Sequence, residues 1–282
     1  MTKDSAISQQ QLTGWSPVPS LRFILYLFAS LSIFCFVLGL SMLISSFSTT
    51  ELVVPYSSDC DSISCNLSLE LSKSFSSPVR LYFELKGFHQ NHRRYINSYS
   101  RNQLFGRDAS ESSIKSDCQP LSELDDVLLN PCGLVPNTLF NDTFSLSFDN
   151  SPVAIDTDNT IWPRDQGKYR SIPEQSVDVN SGLFISWIKP SLLSKFRKLY
   201  GIVHDDLQQG TYSLLVSNNF PVDSFSGSKS FVISESGFFG GRSFSLAILL
   251  LILSPLLAGV FVLFWKSSEN GEYSRKCLTI NA

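Results

Sequence analysis

Between residues 88 and 96 the chain reads FHQNHRRYI, with two histidines, two arginines and two aromatic rings (Phe88 and Tyr95) in nine positions. These residue types could do several kinds of chemistry. His89 and His92 are three apart, so one face of a helix would carry both imidazoles and could hold a metal. Arg93 and Arg94 stand beside them, however, and their charge repels a cation. The guanidiniums themselves offer fixed forks of hydrogen-bond donors, and the rings can stack on their planes. A solvated loop accounts for the same residues, since no helical apolar stripe runs through them. A second block lies downstream: Asn130-Pro131-Cys132-Gly133, then Asn137 to Thr143.

Catalytic patterns are missing. The sequence has no P-loop, GxGxxG, GxSxG, HExxH or EF-hand pattern. Asp125-Asp126 and Asp205-Asp206 are adjacent carboxylates of the kind found in turns and on surfaces. A glycosidase would need two carboxyls held about 5–10 Å apart across a cleft. These patterns give no support to an enzyme, a cofactor or a metal site.

Whatever surface these blocks make must be positioned by the rest of the chain. Of 282 residues 43% are hydrophobic and 17% charged, and the apolar residues are unevenly spread. Phe23 to Ile44 is one uncharged run, and Phe244 to Trp265 is another. Twenty-two residues at about 1.5 Å each span about 33 Å, against a hydrocarbon core of about 30 Å. Both read as transmembrane helices. The first is too long for a cleaved signal core and shows no small-x-small cleavage site. The short tails carry Lys3, Arg22, Lys266, Arg275 and Lys276, which points both termini to the cytosol. Trp15 would sit at the cytosolic interface. The expected organisation is a cytosolic tail (1–22), a first span (23–47), an exoplasmic, glycosylated domain (48–242), a second span (243–265) and a cytosolic tail (266–282). Small residues repeat along each span: Ala29, Ser32, Cys35 and Gly39 in the first, Ala247, Ser254 and Ala258 in the second. Such stripes let helices approach closely in lipid. Pro255 removes a backbone donor at mid-helix, so a kink is expected there.

The middle segment reads as β-rich, an α+β domain like an antiparallel sandwich. Apolar residues alternate at Leu67, Leu69 and Leu71, at Val79, Leu81, Phe83 and Leu85, at Phe144, Leu146 and Phe148, and at Tyr212, Leu214 and Val216. Phe231 to Ile233 is a short apolar run, and Asn218 to Lys229 before it looks like a long hairpin connection. Leu192, Leu193, Phe196, Leu199 and Tyr200 share a helical face ended by Gly201. The spacing therefore predicts a helix there, with Lys195, Arg197 and Lys198 on its solvated side. Four of the six cysteines, Cys60, Cys65, Cys118 and Cys132, fall in this segment, as disulfides in an oxidising compartment would require. Three pairings are possible; spacing favours Cys60–Cys65 with Cys118–Cys132. A zinc site would want closer pairs. Two N-glycosylation sequons begin at Asn66 and Asn141. Net charge −3 with pI near 5.6 argues against nucleic acid as a partner.

Taken in order, these blocks resemble the Cdc-fifty (Lem-three) family, the accessory β-subunits of type-four P-type ATPases, which are phospholipid flippases. The resemblance runs nearly end to end. It begins at Gln11 to Trp15 and Cys65 to Ser68, and takes in FHQNHRRYI with Ser100 to Gly106. Cys118-Gln119-Pro120, Pro131-Cys132-Gly133 and Asn137 to Thr143 follow. Then come Ile161 to Asp165, Phe184 to Trp187, Phe196 to Tyr200, Gly210 to Tyr212, Pro221-Val222 and Gly240-Gly241. His89 stands where the family usually has an aromatic, the first cysteine region holds fewer cysteines than in many members, and Ser171 to Gly182 is short.

The resemblance implies a non-catalytic subunit in a one-to-one heterodimer with the ATPase. It would be needed for the ATPase's folding, its exit from the endoplasmic reticulum and its aminophospholipid transport. It would reside in the secretory pathway (endoplasmic reticulum, Golgi or endosome, or plasma membrane), in contact with membrane lipid and carrying N-glycans. Phe88, Asn91, His92, Arg93, Arg94, Tyr95, Trp162, Phe196, Arg197, Lys198 and Tyr200 become candidate partner contacts. Two alternatives share the architecture. A two-span ligand-gated channel subunit predicts homo-trimers, and the uncharged spans argue against it. A lumenal hydrolase lacks a nucleophile–base pattern.

Overall fold

The structure, a computed structural model, describes residues 19–60 and 62–269. Trp15, the motif at Gln11 to Trp15 and the basic residues Lys3, Arg275 and Lys276 lie outside the described residues. Two compact units divide the chain, Phe47–Arg242 and the helical segments before and after it.

The helical unit contains α1 (Leu21–Ser48) and α7 (Phe244–Glu269). Both are long and apolar enough to cross a bilayer. Their small residues meet. Cys35, Gly39, Ala247 and Ser254 are buried, and Ala29 and Ala258 are half-buried. A Cβ on Gly39 would lie 3.1 Å from side-chain atoms of Leu250 and Leu251, a tight contact that glycine avoids. Ser32 Oγ donates to the Ser254 carbonyl, and Ser254 Oγ donates to the Ser32 carbonyl, both at 3.0 Å. Helix α7 continues through Pro255.

The other unit contains strands β1 (Glu51–Pro55), β2 (Ser64–Leu71), β3 (Val79–Lys86), β4 (Glu123–Leu124), β5 (Val127–Leu128), β6 (Thr143–Phe148), β7 (Ser151–Pro152), β8 (Lys195–Val203), β9 (Gly210–Ser217) and β10 (Ser228–Glu235). Short helices intervene: α2 (Arg93–Ile96), α3 (Arg101–Leu104), α4 (Glu111–Asp117), α5 (Leu134–Asn137) and α6 (Gly182–Trp187). Two four-stranded antiparallel sheets form, in the orders β1-β10-β3-β8 and β2-β9-β6-β7, and β4 pairs with β5 in a small separate sheet. Period-two alternation places Leu81, Phe83, Leu85, Phe231 and Ile233 of the first sheet in one core with Leu69, Leu71, Phe144, Leu146, Tyr212 and Leu214 of the second. The fold class is thus two apolar helices flanking a β-rich domain with two disulfides, Cys60–Cys65 and Cys118–Cys132.

Two sequence expectations fail. Residues 195–203 form a strand, not the end of a helix. Their apolar spacing fits both periods, and the open edge of β3 decides between them. Phe196 lies opposite Leu85 and Lys198 opposite Phe83, both buried, while Lys195 and Arg197 face outward to Glu84. Leu192 and Leu193, expected on the apolar helical face, are exposed. Asn218 to Lys229 is likewise no hairpin connection, because β9 and β10 belong to different sheets. Local turn chemistry could not show that the chain changes layers.

Candidate partner-binding surface

The FHQNHRRYI stretch leaves β3 and divides its residues by depth. Phe88 and Tyr95 point into the domain, their rings 5.5 Å apart and edge to face. Phe88 also meets Trp187 at 5.6 Å, Phe225 at 5.4 Å, Phe220 at 6.1 Å and Phe196 at 6.5 Å. Offset and edge-on ring pairs of this kind are each worth about 0.5–1.5 kcal/mol beyond their burial. Gln90 is fully buried; its Oε1 accepts from the Ser191 amide at 3.0 Å. Asn91, His92, Arg93 and Arg94 are exposed. Asn91 Nδ2 donates to the Leu192 carbonyl at 2.6 Å, which ties the stretch to the segment carrying the exposed Leu192 and Leu193.

The second block packs directly under the first. Ser98 Oγ donates to the Cys118 carbonyl at 3.2 Å and accepts from the Leu134 amide at 2.9 Å. Gln103 Oε1 accepts from the Cys132 amide at 2.9 Å. Tyr95 Oη and Thr138 Oγ1 are 3.0 Å apart, and Trp187 Nε1 donates to the Val135 carbonyl at 3.1 Å. Gly133 has φ +102, and a Cβ there would lie 2.1 Å from the Ser98 carbonyl oxygen, so only glycine fits. Two stretches some forty residues apart thus form one node braced by Cys118–Cys132. Burial raises the Tyr95 hydroxyl above its ordinary pKa.

The remaining candidates do not join this surface as a group. Trp162 is exposed and precedes the turn Pro163–Asp165, whose Asp165 pairs with Lys189. Arg197 bridges Glu84 (Nε to Oε2, 2.7 Å) and Glu51 (Nη1 to Oε2, 3.0 Å) on the outer face of the first sheet. Lys198 points inward and donates to the carbonyls of Ser186, at 3.0 Å, and Lys189. Burial, with Lys189 nearby, pushes its ammonium down to about 8. Tyr200 is the extra residue of a bulge, and its Oη accepts from the Phe144 amide at 3.1 Å.

Both sequon asparagines are exposed. Asp142, the middle residue of the second sequon, turns inward and is 1% exposed. Its Oδ1 accepts from the amides of Asn219 and Phe220, both at 2.6 Å. Its Oδ2 accepts from Tyr56 Oη at 2.6 Å and pairs with Lys229 Nζ at 2.7 Å. Burial, reinforced by Asp142, drives the Tyr56 hydroxyl far above its ordinary range. Sequence reasoning missed this network. A signal existed, because Lys229 continues inward the alternation of Phe231 and Ile233.

The described residues thus give two helices long and apolar enough to cross a bilayer, a disulfide-braced sandwich, and the exposed residues Arg93, Arg94, Leu192 and Leu193. Residues 43–268 match the model of the LEM3 (ligand-effect modulator 3) family / CDC50 family, and the chain belongs to that family. It is 30% identical to "ALA-interacting subunit 3" of Arabidopsis thaliana over 87% of this chain and 80% of the relative. It is 27% identical to "Cell cycle control protein 50A" of Bos taurus, over 92% and 87% of the two chains. With "Cell cycle control protein 50B" of Homo sapiens the identity is 28%, over 90% and 89%.

Proposed function

We propose that this chain is the non-catalytic accessory β-subunit of a type-four P-type ATPase, a phospholipid flippase. It joins the ATPase as a one-to-one heterodimer and serves its folding, its exit from the endoplasmic reticulum and its aminophospholipid transport. The reading rests on one observation above others: the family model matches residues 43–268, from the last turns of the first apolar helix almost to the end of the second. The name of the Arabidopsis relative, an interacting subunit, agrees with it. In this reading both termini are cytosolic, and the sandwich is lumenal or extracellular with glycans on Asn66 and Asn141. The crown of His92, Arg93, Arg94, Leu192 and Leu193 meets the ATPase's exoplasmic loops.

Affinity purification of the tagged full chain from gently solubilised membranes tests the reading. A P-type ATPase in near one-to-one amount is the expected result. A homo-oligomer without ATPase would sink it and favour a two-span channel. Arg93→Glu with Arg94→Glu should cut the co-purified ATPase by about tenfold, a change of about 1.4 kcal/mol, while leaving the chain's own melting unchanged. Undiminished recovery would remove the crown from the interface.

A further inference from the structure

We infer that the turn at Gly237–Gly240 is a membrane-inserting wedge, whose ligand is the interfacial zone of the exoplasmic lipid leaflet. Gly237 and Gly240 exchange backbone hydrogen bonds at 3.0 and 2.9 Å. Gly240 takes φ +87, a conformation that glycine adopts without strain. The two residues held at the tip are Phe238 and Phe239, with their rings edge to face at 5.0 Å. Phe238 is 93% exposed, more than any other large apolar side chain among the described residues. A soluble surface gains nothing from two rings displayed on a closed turn.

The flanks of the turn identify what covers it. On one side the Glu235 carboxylate accepts from the Thr50 amide at 2.9 Å, and the Glu235 amide donates to the Thr50 carbonyl at 3.0 Å. On the other side Arg242 Nε donates to the Thr49 carbonyl at 3.0 Å. Thr49 directly follows the last residue of α1, and Phe244, two residues past Arg242, begins α7. Three residues lie between Gly240 and Phe244, so the two Cα atoms are at most about 14 Å apart at full extension. Connectivity alone thus tethers the tip to the residue where an apolar helix starts. Residues 236–243 contain no acidic side chain, and Arg242 supplies a cation suited to lipid phosphates.

The test uses the full chain in phosphatidylcholine nanodiscs, with Cys35→Ala and Cys277→Ser so that an added cysteine takes the only label. A nitroxide is placed through Phe238→Cys, and through Trp162→Cys as an exposed reference. Oxygen concentrates in the bilayer, whereas a nickel chelate stays in water. The expected result is an oxygen-to-nickel accessibility ratio several-fold higher at 238 than at 162 in the chain alone. Equal ratios would overturn the inference. So would protection at 238 that develops only when the co-expressed ATPase is bound, since the aromatic pair would then contact protein and not lipid.

Discussion

The two sheets of the sandwich share one core but present different outer faces. On the second sheet Asn66, Ser68, Thr143, Ser145, Ser147, Thr211, Ser213 and Ser217 point outward, with Leu215 among them and Glu70 the one charge. The outer face of the first carries Arg80, Glu84, Lys195, Arg197 and, from β1, Glu51. Charge also enters the inner side of the first sheet, at Lys198 and Lys229, and the inner side of the second has none. Short hydroxyl side chains leave a face open to bulky groups attached above it. The sequon at Asn66 sits on that face, and Thr143 of the other sequon shares it. Long paired side chains instead close the first face over themselves, to the point that Val232 beneath them is fully buried. The two sheets thus differ outside: short hydroxyls and both sequons line one, and fixed ion pairs line the other.

The most severe way to break that arrangement is to cut the link between the sheets. Asp142 precedes β6 of the second sheet and Lys229 lies on β10 of the first. Asp142→Ala leaves the sequon intact but takes the carboxylate from buried Lys229, which keeps Asn218 Oδ1 and the Phe220 carbonyl as acceptors, and strands the Tyr56 hydroxyl and two amides. Removing one partner of a buried pair costs about 3–5 kcal/mol. The full chain in detergent should melt well below wild type, with glycosylation at Asn141 still possible. A melting temperature within a degree of wild type would mean that the two sheets are held by the apolar core alone.

Much of this architecture was legible in the sequence, for a physical reason. Where one face is buried and the other wet, alternation must appear, and Val79 to Leu85 or Tyr212 to Val216 could hardly be anything but strands. The helices were equally plain, since lipid tolerates few substitutes for apolar residues. Residues 192–201 failed because Phe196, Leu199 and Tyr200 fit two periods. The deciding partner, β3, lies more than a hundred residues away, and the bulge at Tyr200 blurs the alternation further. The node under FHQNHRRYI was half legible. The clustering of types marked it, but spacing could not say that Phe88 and Tyr95 turn in while Arg93 and Arg94 stay out. Ser98 and Gln103, which hold the two blocks together, had no signal beyond being polar.

A sharper test sets one substitution on each outer face side by side. Arg197→Ala leaves Glu84, whose side chain is 8% exposed, with only Lys195 at 3.3 Å, and takes a partner from Glu51. A charged hydrogen bond lost at such a site costs about 1–3 kcal/mol. Ser213→Ala removes a hydroxyl that donates to Asn66 Oδ1, on a wet surface where changes stay within about 0.5 kcal/mol. Chemical denaturation of the two variants should therefore separate clearly. Equal midpoints would show that the first face is a solvated charge cluster and not a fixed one.

The smallest expected effect concerns the inner face of the first sheet and is read through pH. The Lys198 pKa is about 8 in the folded chain, against an ordinary value near 10.5. Between those values the unfolded chain binds more protons than the folded one, so this group makes stability rise with pH. Below pH 8 its full burial penalty is present, and by pH 10 most of it is gone. Lys198→Met has no such dependence. Wild type should gain on the variant as the buffer is moved from pH 7.5 to 9.5, below the range where the buried tyrosines, their pKa values raised, begin to oppose folding. Equal pH trends for wild type and Lys198→Met would mean that the inner lysine is well hydrated in the folded chain and carries no burial penalty.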